Sequence, residues 1–472
     1  MLKSRQVFAI GVLLGLTACS PPGIQDSEID TPPMWKTTKY LDEDAPLVVE
    51  ESAEVEQLWW KNFGDETLDA IIIVALKNNK TLGIAKTRIE EAYAARLLAI
   101  SYVLPQIAIT ADASKGNQGF FTGGVPLAFK NAAIQANWEI DLFGKNQERV
   151  FAADAILQSE VIARQAIMVS LLAEVGRNYF DLRNYEKQIS ITRENLASQK
   201  RTLELTREQL EGGLASNFDL QRAAAQVSTT ESRLPELIIA YELTSNRLTV
   251  LLGGIPGEYD FLLKTEEVLQ PLDPQIVIAA PATVLGTRPD IRAAERRFAA
   301  SISEHEAAKR EWFPTLSLLA FYGVQNMTLM NTSPTWNVQA NLVQPVINFG
   351  RIESGIIATD ARMERAFLTF QETVLEALED MEDALANYIY EVMRNGSLTN
   401  AAEENRKAME LANEQYTNGY TALLDVLVVQ RNVLETESVK AASDAKLRKD
   451  LVNIYTAAGG GWDIDIDCCA CK

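Results

Sequence analysis

Few residues in this chain have the types and spacing that bond-making chemistry needs. There is one histidine, His305, and there are four cysteines, Cys19, Cys468, Cys469 and Cys471. An imidazole metal site, a Ser-His-Asp triad or a disulfide framework therefore has little to build from. No GxxxxGK[ST] loop occurs, and no GxGxxG opens a helix. A paired-carboxylate hydrolase needs two acids at a defined separation, and no spacing singles out such a pair. Cys468, Cys469 and Cys471, with Asp463, Asp465 and Asp467, have a soft-metal or oxidisable composition. They read as a terminal extension, 463–472, outside the functional body, and His305 reads as a solvated helix position. No catalytic residue, metal or cofactor is expected, so the chain is not read as an enzyme.

The 472 residues carry 44 basic against 64 acidic side chains, a net charge of −20 that repels a phosphate backbone and argues against nucleic acid as a partner. Cys19 is the one cysteine with an informative setting. Lys3 and Arg5 precede an apolar run from Val7 to Leu16, which ends at Thr17-Ala18-Cys19. That run is too short for a spanning helix, which takes about 20 residues. It reads as a signal peptide over 1–18, and the small residues before Cys19 resemble a bacterial lipobox. The resemblance implies cleavage before Cys19 and its acylation, palmitate included; Ser20, in place of an aspartate, implies the outer membrane. No later stretch holds 18 uninterrupted apolar residues, so any membrane crossing must be made of strands.

Landmarks recur at one offset of 206 residues: Phe143-Gly144 with Phe349-Gly350, Gly213 with Gly419, Asp219 with Asp425, Thr230-Glu231 with Thr436-Glu437, Gly253-Gly254 with Gly459-Gly460. Leu104-Pro105 and Phe313-Pro314 extend the series with a three-residue slip. The reading is a duplicated unit, 66–253 and 287–462, each with a helix, two strands and a long helical hairpin. The segment 254–286, with Pro256, Pro271, Pro274 and Pro281, is a linker that forms an equatorial belt with the N-terminal segment 19–65 around Trp59 and Trp60.

Strands are expected at about 104–115, 131–142, 313–325 and 335–347. Ile134, Ala136, Trp138, Ile140 and Leu142 alternate with Gln135, Asn137, Glu139 and Asp141, as do Trp336, Val338, Ala340 and Leu342 with Asn337, Gln339 and Asn341. Strands of about 10 residues suit a tilted bilayer crossing, yet four cannot close a barrel, so oligomerisation is implied. Loops 116–130 and 326–334, with Phe120, Phe121 and Pro334, would face the exterior. From Asn146 to Glu211 and from Ile352 to Asn418 there is no proline, which allows helices of about 100 Å at roughly 1.5 Å per residue. Pro235 is expected to bend the second helix of the first unit.

Trp59-Trp60-Lys61-Asn62-Phe63-Gly64-Asp65 with Leu68, then Arg288-Pro289-Asp290-Ile291-Arg292-Ala293-Ala294-Glu295, the two hairpin turns and Leu251-Leu252-Gly253 come in the order of a known family. From Cys19 to about Trp462 the chain resembles the TolC-like outer membrane factors, in particular the NodT-type lipoproteins of RND efflux systems. The resemblance implies an α+β membrane protein: a homotrimer whose four strands per chain make a 12-stranded outer membrane β-barrel, continued by a 12-helix periplasmic α-barrel. It implies a passive exit duct that receives small solutes from a periplasmic adaptor and an RND-type inner membrane transporter. In the family, the turns dock the adaptor, which would place Gly213, Leu214, Ala215, Ser216 and Asp219, with Gly419, Tyr420, Thr421, Leu423 and Leu424, at that contact. Ser216 and Thr421 read locally as helix caps as well. Asp425 and Tyr416 would form the periplasmic gate, three aspartates at an aperture favouring cations. The chain departs from many relatives at Val428, where a second aspartate is usual, and at Thr421, where some carry a basic latch. A type I secretion duct and a non-pore envelope scaffold are the alternative readings.

Overall fold

The computed structural model describes residues 32–40, 47–50, 54–116, 126–264, 276–328 and 330–463. Cys19, the signal segment, Phe120, Phe121 and the cysteine tail lie outside the described residues. In chain order the elements are β1 (Leu47–Glu50), α1 (Glu66–Asn78), α2 (Lys80–Ser101), β2 (Gln106–Gly116), β3 (Leu127–Ile140), α3 (Lys145–Glu211), α4 (Asn217–Leu251), α5 (Asp260–Leu263), β4 (Ile276–Ala279), α6 (Pro281–Thr287), α7 (Pro289–Lys309), β5 (Thr315–Met327), β6 (Met330–Val343), α8 (Arg351–Thr417) and α9 (Leu423–Ala457).

The alternating segments make one antiparallel sheet in the order β2-β3-β5-β6. Its register sorts side chains by chemistry. Ile109, Ile134, Tyr322 and Trp336 lie opposite one another across all four strands, each more than half exposed on an apolar face. Asp112, Asn131, Gln325 and Ser333 form a polar rung on the other face. β3 and β6 begin earlier than alternation suggests, because backbone pairing runs on to Phe129↔Met327 and Met327↔Met330. The β5–β6 connection is therefore two residues, 328–329. Pro334 lies not in a loop but in β6 opposite Val324; within this chain β6 is an edge strand, where a missing N–H is tolerated. At Gly323 a Cβ would sit 2.2 Å from the Ala132 carbonyl oxygen and 2.6 Å from Ala133 Cα, so β3 and β5 come together there only around a glycine.

Left-handed glycines, Gly144 at φ 77° and Gly350 at φ 85°, turn the chain from strand into helix. α3 and α8 that follow are both 67 residues long, and α4 and α9 both 35; each pair starts 206 residues apart. α3 packs against α2, α4, α7 and α9, whereas α8 packs against α7 and α9. One stretch of α3 is apolar enough by composition to cross a membrane, but the helix is held between four others. α4 runs as one helix through Pro235: Pro235 and Glu231 are exposed, so water can serve the carbonyl that the ring leaves free. His305, read from sequence as solvated, is not. α7 is covered by both α3 and α8, and His305 is buried with Nδ1 3.1 Å from Thr359 Oγ1 and Nε2 3.8 Å from Asp360.

The main core lies midway along the helices. β1 pairs in parallel with β4, and Trp35 Nε1 donates to the Ala279 carbonyl at 3.0 Å, tying the N-terminal segment to the linker. Trp59, Trp60 and Phe63 are buried against α3, and Trp59 stacks on Tyr455 with centroids 5.9 Å apart. Gly176, the one glycine of α3, admits this ring: a Cβ there would lie 3.2 Å from Trp59 Cη2 and 3.4 Å from Val452. Gly176→Val is expected to destabilise the protein by about 1–3 kcal/mol through overpacking. Gly286→Ala, whose Cβ meets nothing within 4 Å, should not destabilise it; thermal unfolding in detergent followed by circular dichroism measures both.

Candidate functional site

The two helical hairpins end in tips built from the same backbone device. Gly213 and Gly419 adopt φ 73° and 77°, and Leu214 and Tyr420 N–H groups donate back to the Gln209 and Gln415 carbonyls at 2.7 and 2.8 Å, which closes the last helical turn. Leu214 and Tyr420, at equivalent positions, are each 84% exposed, and Phe218 is 67% exposed. Ala215 is half-buried beside them. The tips thus present large apolar side chains to the surroundings.

The next helix starts differently in the two tips. Ser216 caps α4: its Oγ accepts from the Asp219 N–H at 3.1 Å, while Asp219 accepts from the Ser216 N–H at 3.3 Å and Oγ at 2.7 Å. The Asp219 carboxylate is absorbed by this reciprocal cap. In α9 the cap position is Ala422, which has no side-chain oxygen, and Thr421 is one residue too early to cap. Thr421 Oγ1 instead donates to Asp425 at 3.0 Å, leaving the exposed Asp425 carboxylate mostly open.

Tyr416 and Leu423, read from sequence as gate and docking residues, are buried in one cluster with Ala223, Val426 and Leu427. Tyr416 donates to Gln209 Oε1 at 2.9 Å and its hydroxyl lies 3.1 Å from Thr206 Oγ1, so it bolts α8 to α3. Leu424 faces outward at 44% exposure.

A second region, at mid-height, escaped the sequence reading as a device. The C-terminus of α9 abuts the N-terminus of α7, and Arg288 joins them: Nη1 donates to the Ala457 carbonyl at 2.8 Å, and Nη2 pairs with Asp290 at 2.7 Å and Asp380 at 3.0 Å. Burial opposes the guanidinium charge, yet hydrogen bonds to Asp290 and Asp380 hold its pKa above the usual value. Asn79 does the same for α4 and α2. Its Nδ2 donates to the Leu251 carbonyl at 2.8 Å while its Oδ1 caps Thr81 and Leu82. An Asn before Lys80-Thr81 was a legible cap signal, but its partner 172 residues away was not. A cleft of about 430 Å³ beside Arg288 is lined by Arg177, Asp380, Asp383, Asn387 and Asn453. Below it, Tyr179 is buried and donates to Asp65 at 2.5 Å; burial raises its phenol pKa, with Arg183 opposing and Asp65 adding to the rise. Among the described residues no cluster of three or more His, Cys, Asp or Glu could hold a metal.

An apolar-faced sheet set directly on helices of this length is the architecture of an outer-membrane channel. A family model described as outer membrane efflux protein matches residues 71–254 and 280–460, and the chain belongs to that family. It is 28% identical to nodulation protein T of Rhizobium leguminosarum bv. viciae over 408 residues, 86% of this chain and 84% of that protein. It is 27% identical to the pyoverdine export outer membrane protein OpmQ of Pseudomonas putida over 477 residues, 98% of this chain and 99% of that one. The solved outer-membrane channel OprN matches with a TM-score of 0.83 at 30% identity, covering 88% of this chain and 94% of that chain. The protein is an outer membrane efflux component that extends into the periplasm.

The unequal helix starts have a measurable consequence. Asp219→Ala removes a reciprocal cap and is expected to weaken the first turn of α4 by about 1 kcal/mol. Asp425→Ala should leave the first turn of α9 nearly unchanged, because no such cap exists there. Amide hydrogen exchange at the two tips reads the difference.

Proposed function

We propose that three copies of this chain form a passive exit duct: a 12-stranded barrel in the outer membrane continued by a 12-helix tunnel in the periplasm, each chain contributing a duplicated unit. The observation that carries the reading is the sheet. Its outward rung Ile109, Ile134, Tyr322 and Trp336 suits lipid, its inward rung Asp112, Asn131, Gln325 and Ser333 suits water, and it ends on helices of 67 residues that are long enough to cross the periplasm in part. Solute moves down its gradient through a polar bore, and the chain's own residues make or break no bond.

Cys19 carries the lipid anchor in this reading, and the exposed tip residues Leu214, Phe218, Tyr420 and Leu424 dock a periplasmic adaptor that links the duct to an RND-type inner membrane transporter. Burial of the apolar tip side chains drives that contact. Three copies of Asp425 ring the narrow end and focus negative potential there. Tyr416 serves the gate as the brace that holds α8 on α3, so its loss would loosen the aperture.

Conductance of the purified mature protein in planar bilayers tests the duct. Channels that select cations, with the selectivity reduced in Asp425→Ala, are expected. A folded, inserted protein that conducts nothing would refute the duct and favour an envelope scaffold; channels indifferent to Asp425→Ala would remove the aspartate ring. Cys19→Ala is expected to abolish incorporation of labelled palmitate while leaving the barrel able to conduct, and label retained in that variant would refute Cys19 as the acylation site.

A further inference from the structure

The cleft beside Arg288 lies on the face of the helices turned away from the tryptophan belt. On α3, Tyr179 donates to Asp65 of the N-terminal segment, and Arg177, two residues earlier, lines the cleft. On α8, the Glu382 carboxylate accepts from the Thr37 N–H at 3.0 Å, and Asp380, two residues earlier, lines the cleft. Two residues turn an α-helix by about 200°, so both helices carry the belt on one side and the cleft on the other. In the duct proposed above the bore is polar and the apolar belt lies outside, which opens the cleft into the bore.

Most of the charge in the cleft is matched within the chain. Arg288 pairs with Asp290 and Asp380. Arg177 and Asp383 are different. Arg177 Nη1 donates to the Asn453 side-chain oxygen at 3.1 Å, and the guanidinium makes no ion pair among the described residues. The acids about one turn away are engaged elsewhere, Glu174 with Arg247 and Asp181 with Lys449. Burial lowers the Arg177 pKa, with Glu174 and Asp181 opposing, so an anion seated on the guanidinium would relieve a cost that the chain itself leaves standing. Asp383 is exposed and likewise makes no ion pair among the described residues. The two residues are separated by the repeat offset of 206, so one backbone position carries opposite charge in α3 and α8. They line one cleft without pairing with each other.

We propose that this cleft is a binding site for small zwitterions, solutes that carry both a carboxylate and an ammonium group, with Arg177 on α3 holding the carboxylate and Asp383 on α8 the ammonium. The site rests on the duct reading for its opening into the bore; its charges and volume belong to the single chain. A guanidinium can take a carboxylate through two parallel N–H donors, and Arg177 spends one of its five donors on Asn453. The volume of about 430 Å³ suits a small molecule, and Ser170, Asn387 and Asn453 add neutral polar groups to its walls. A solute with only one of the two charges leaves the other protein charge unmatched and makes one charged contact in place of two. A bare cation fits less well, because Arg177 repels it and Asp383 offers one carboxylate. A site along a conduction path must also release what it binds, which a cleft open on one side allows.

The probe is 6-aminohexanoate, whose flexible chain lets its two charges adapt to the separation of Arg177 and Asp383; hexanoate and hexylammonium each lack one charge. Titration calorimetry of the purified mature protein in detergent should show 6-aminohexanoate binding at least about fivefold more tightly than either single-charge probe. Arg177→Gln and Asp383→Asn should each weaken it by at least about fivefold, with thermal unfolding followed by circular dichroism confirming that both variants fold. Exchanging the charges, Arg177→Asp with Asp383→Arg, should restore binding, because the probe can bind end for end. Equal affinities for the three probes, or 6-aminohexanoate binding indifferent to both single variants, would overturn the site; so would a folded exchange variant that binds as weakly as the single ones. Conductance of the same preparations without probe reads the duct separately. Channels with no detectable probe binding overturn the site and leave the duct standing, whereas probe binding without channels overturns the site's place in a bore and the duct with it.

Discussion

A backbone N–H or C=O in hydrocarbon costs several kcal/mol when it has no hydrogen-bond partner. The apolar face on β2, β3, β5 and β6 asks for hydrocarbon, while β2 and β6 end the sheet with unpaired backbone edges. A single chain cannot meet both demands. In the oligomeric duct proposed above, further copies cover those edges and the open flank of α8. At Gly323 the β3 and β5 backbones approach so closely that no side chain fits beside the Ala132 carbonyl.

Below the sheet, the long helices α3 and α8 are flanked by helices that end partway along them. α4 and α9 stop at Leu251 and Ala457, and α2 and α7 begin where they stop. A helix C-terminus leaves carbonyls without donors and carries partial negative charge. Asn79 and Arg288 answer this with a side-chain donor aimed at the last carbonyls, and Arg288 adds a full positive charge balanced by Asp290 and Asp380. The belt of Trp35, Trp59, Trp60 and Phe63 packs around these joints and makes the mid-height of the molecule its largest buried apolar cluster. The tips are held by a smaller cluster around Tyr416 and Leu423, which suits the docking role proposed for them.

The duplicated spacing, the alternating strands, the long uninterrupted helices and the glycine turns were all legible in the residues, because each is a property of neighbours along the chain. Asp219 and Asp425 look equivalent by spacing, yet one is consumed in a cap with Ser216 and the other is left open, because Ala422 replaces the capping serine. That difference was readable one residue at a time. Tyr416, Leu423 and His305 were harder: their sequence context is polar or near a turn, and their burial comes from neighbouring helices packed against them. The β1–β4 ladder was beyond local reading, since two four-residue strands more than 200 residues apart give no periodic signal.

By itself, then, the sequence determined the long helices, the four alternating strands with their oily and wet faces and the scarcity of histidine and cysteine, since these depend on backbone preference and on residue type. Only the tertiary structure decided which helix covers which and which donor closes each helix joint. Those outcomes depend on contacts between residues far apart in the chain, and no local periodicity encodes which distant surface will arrive.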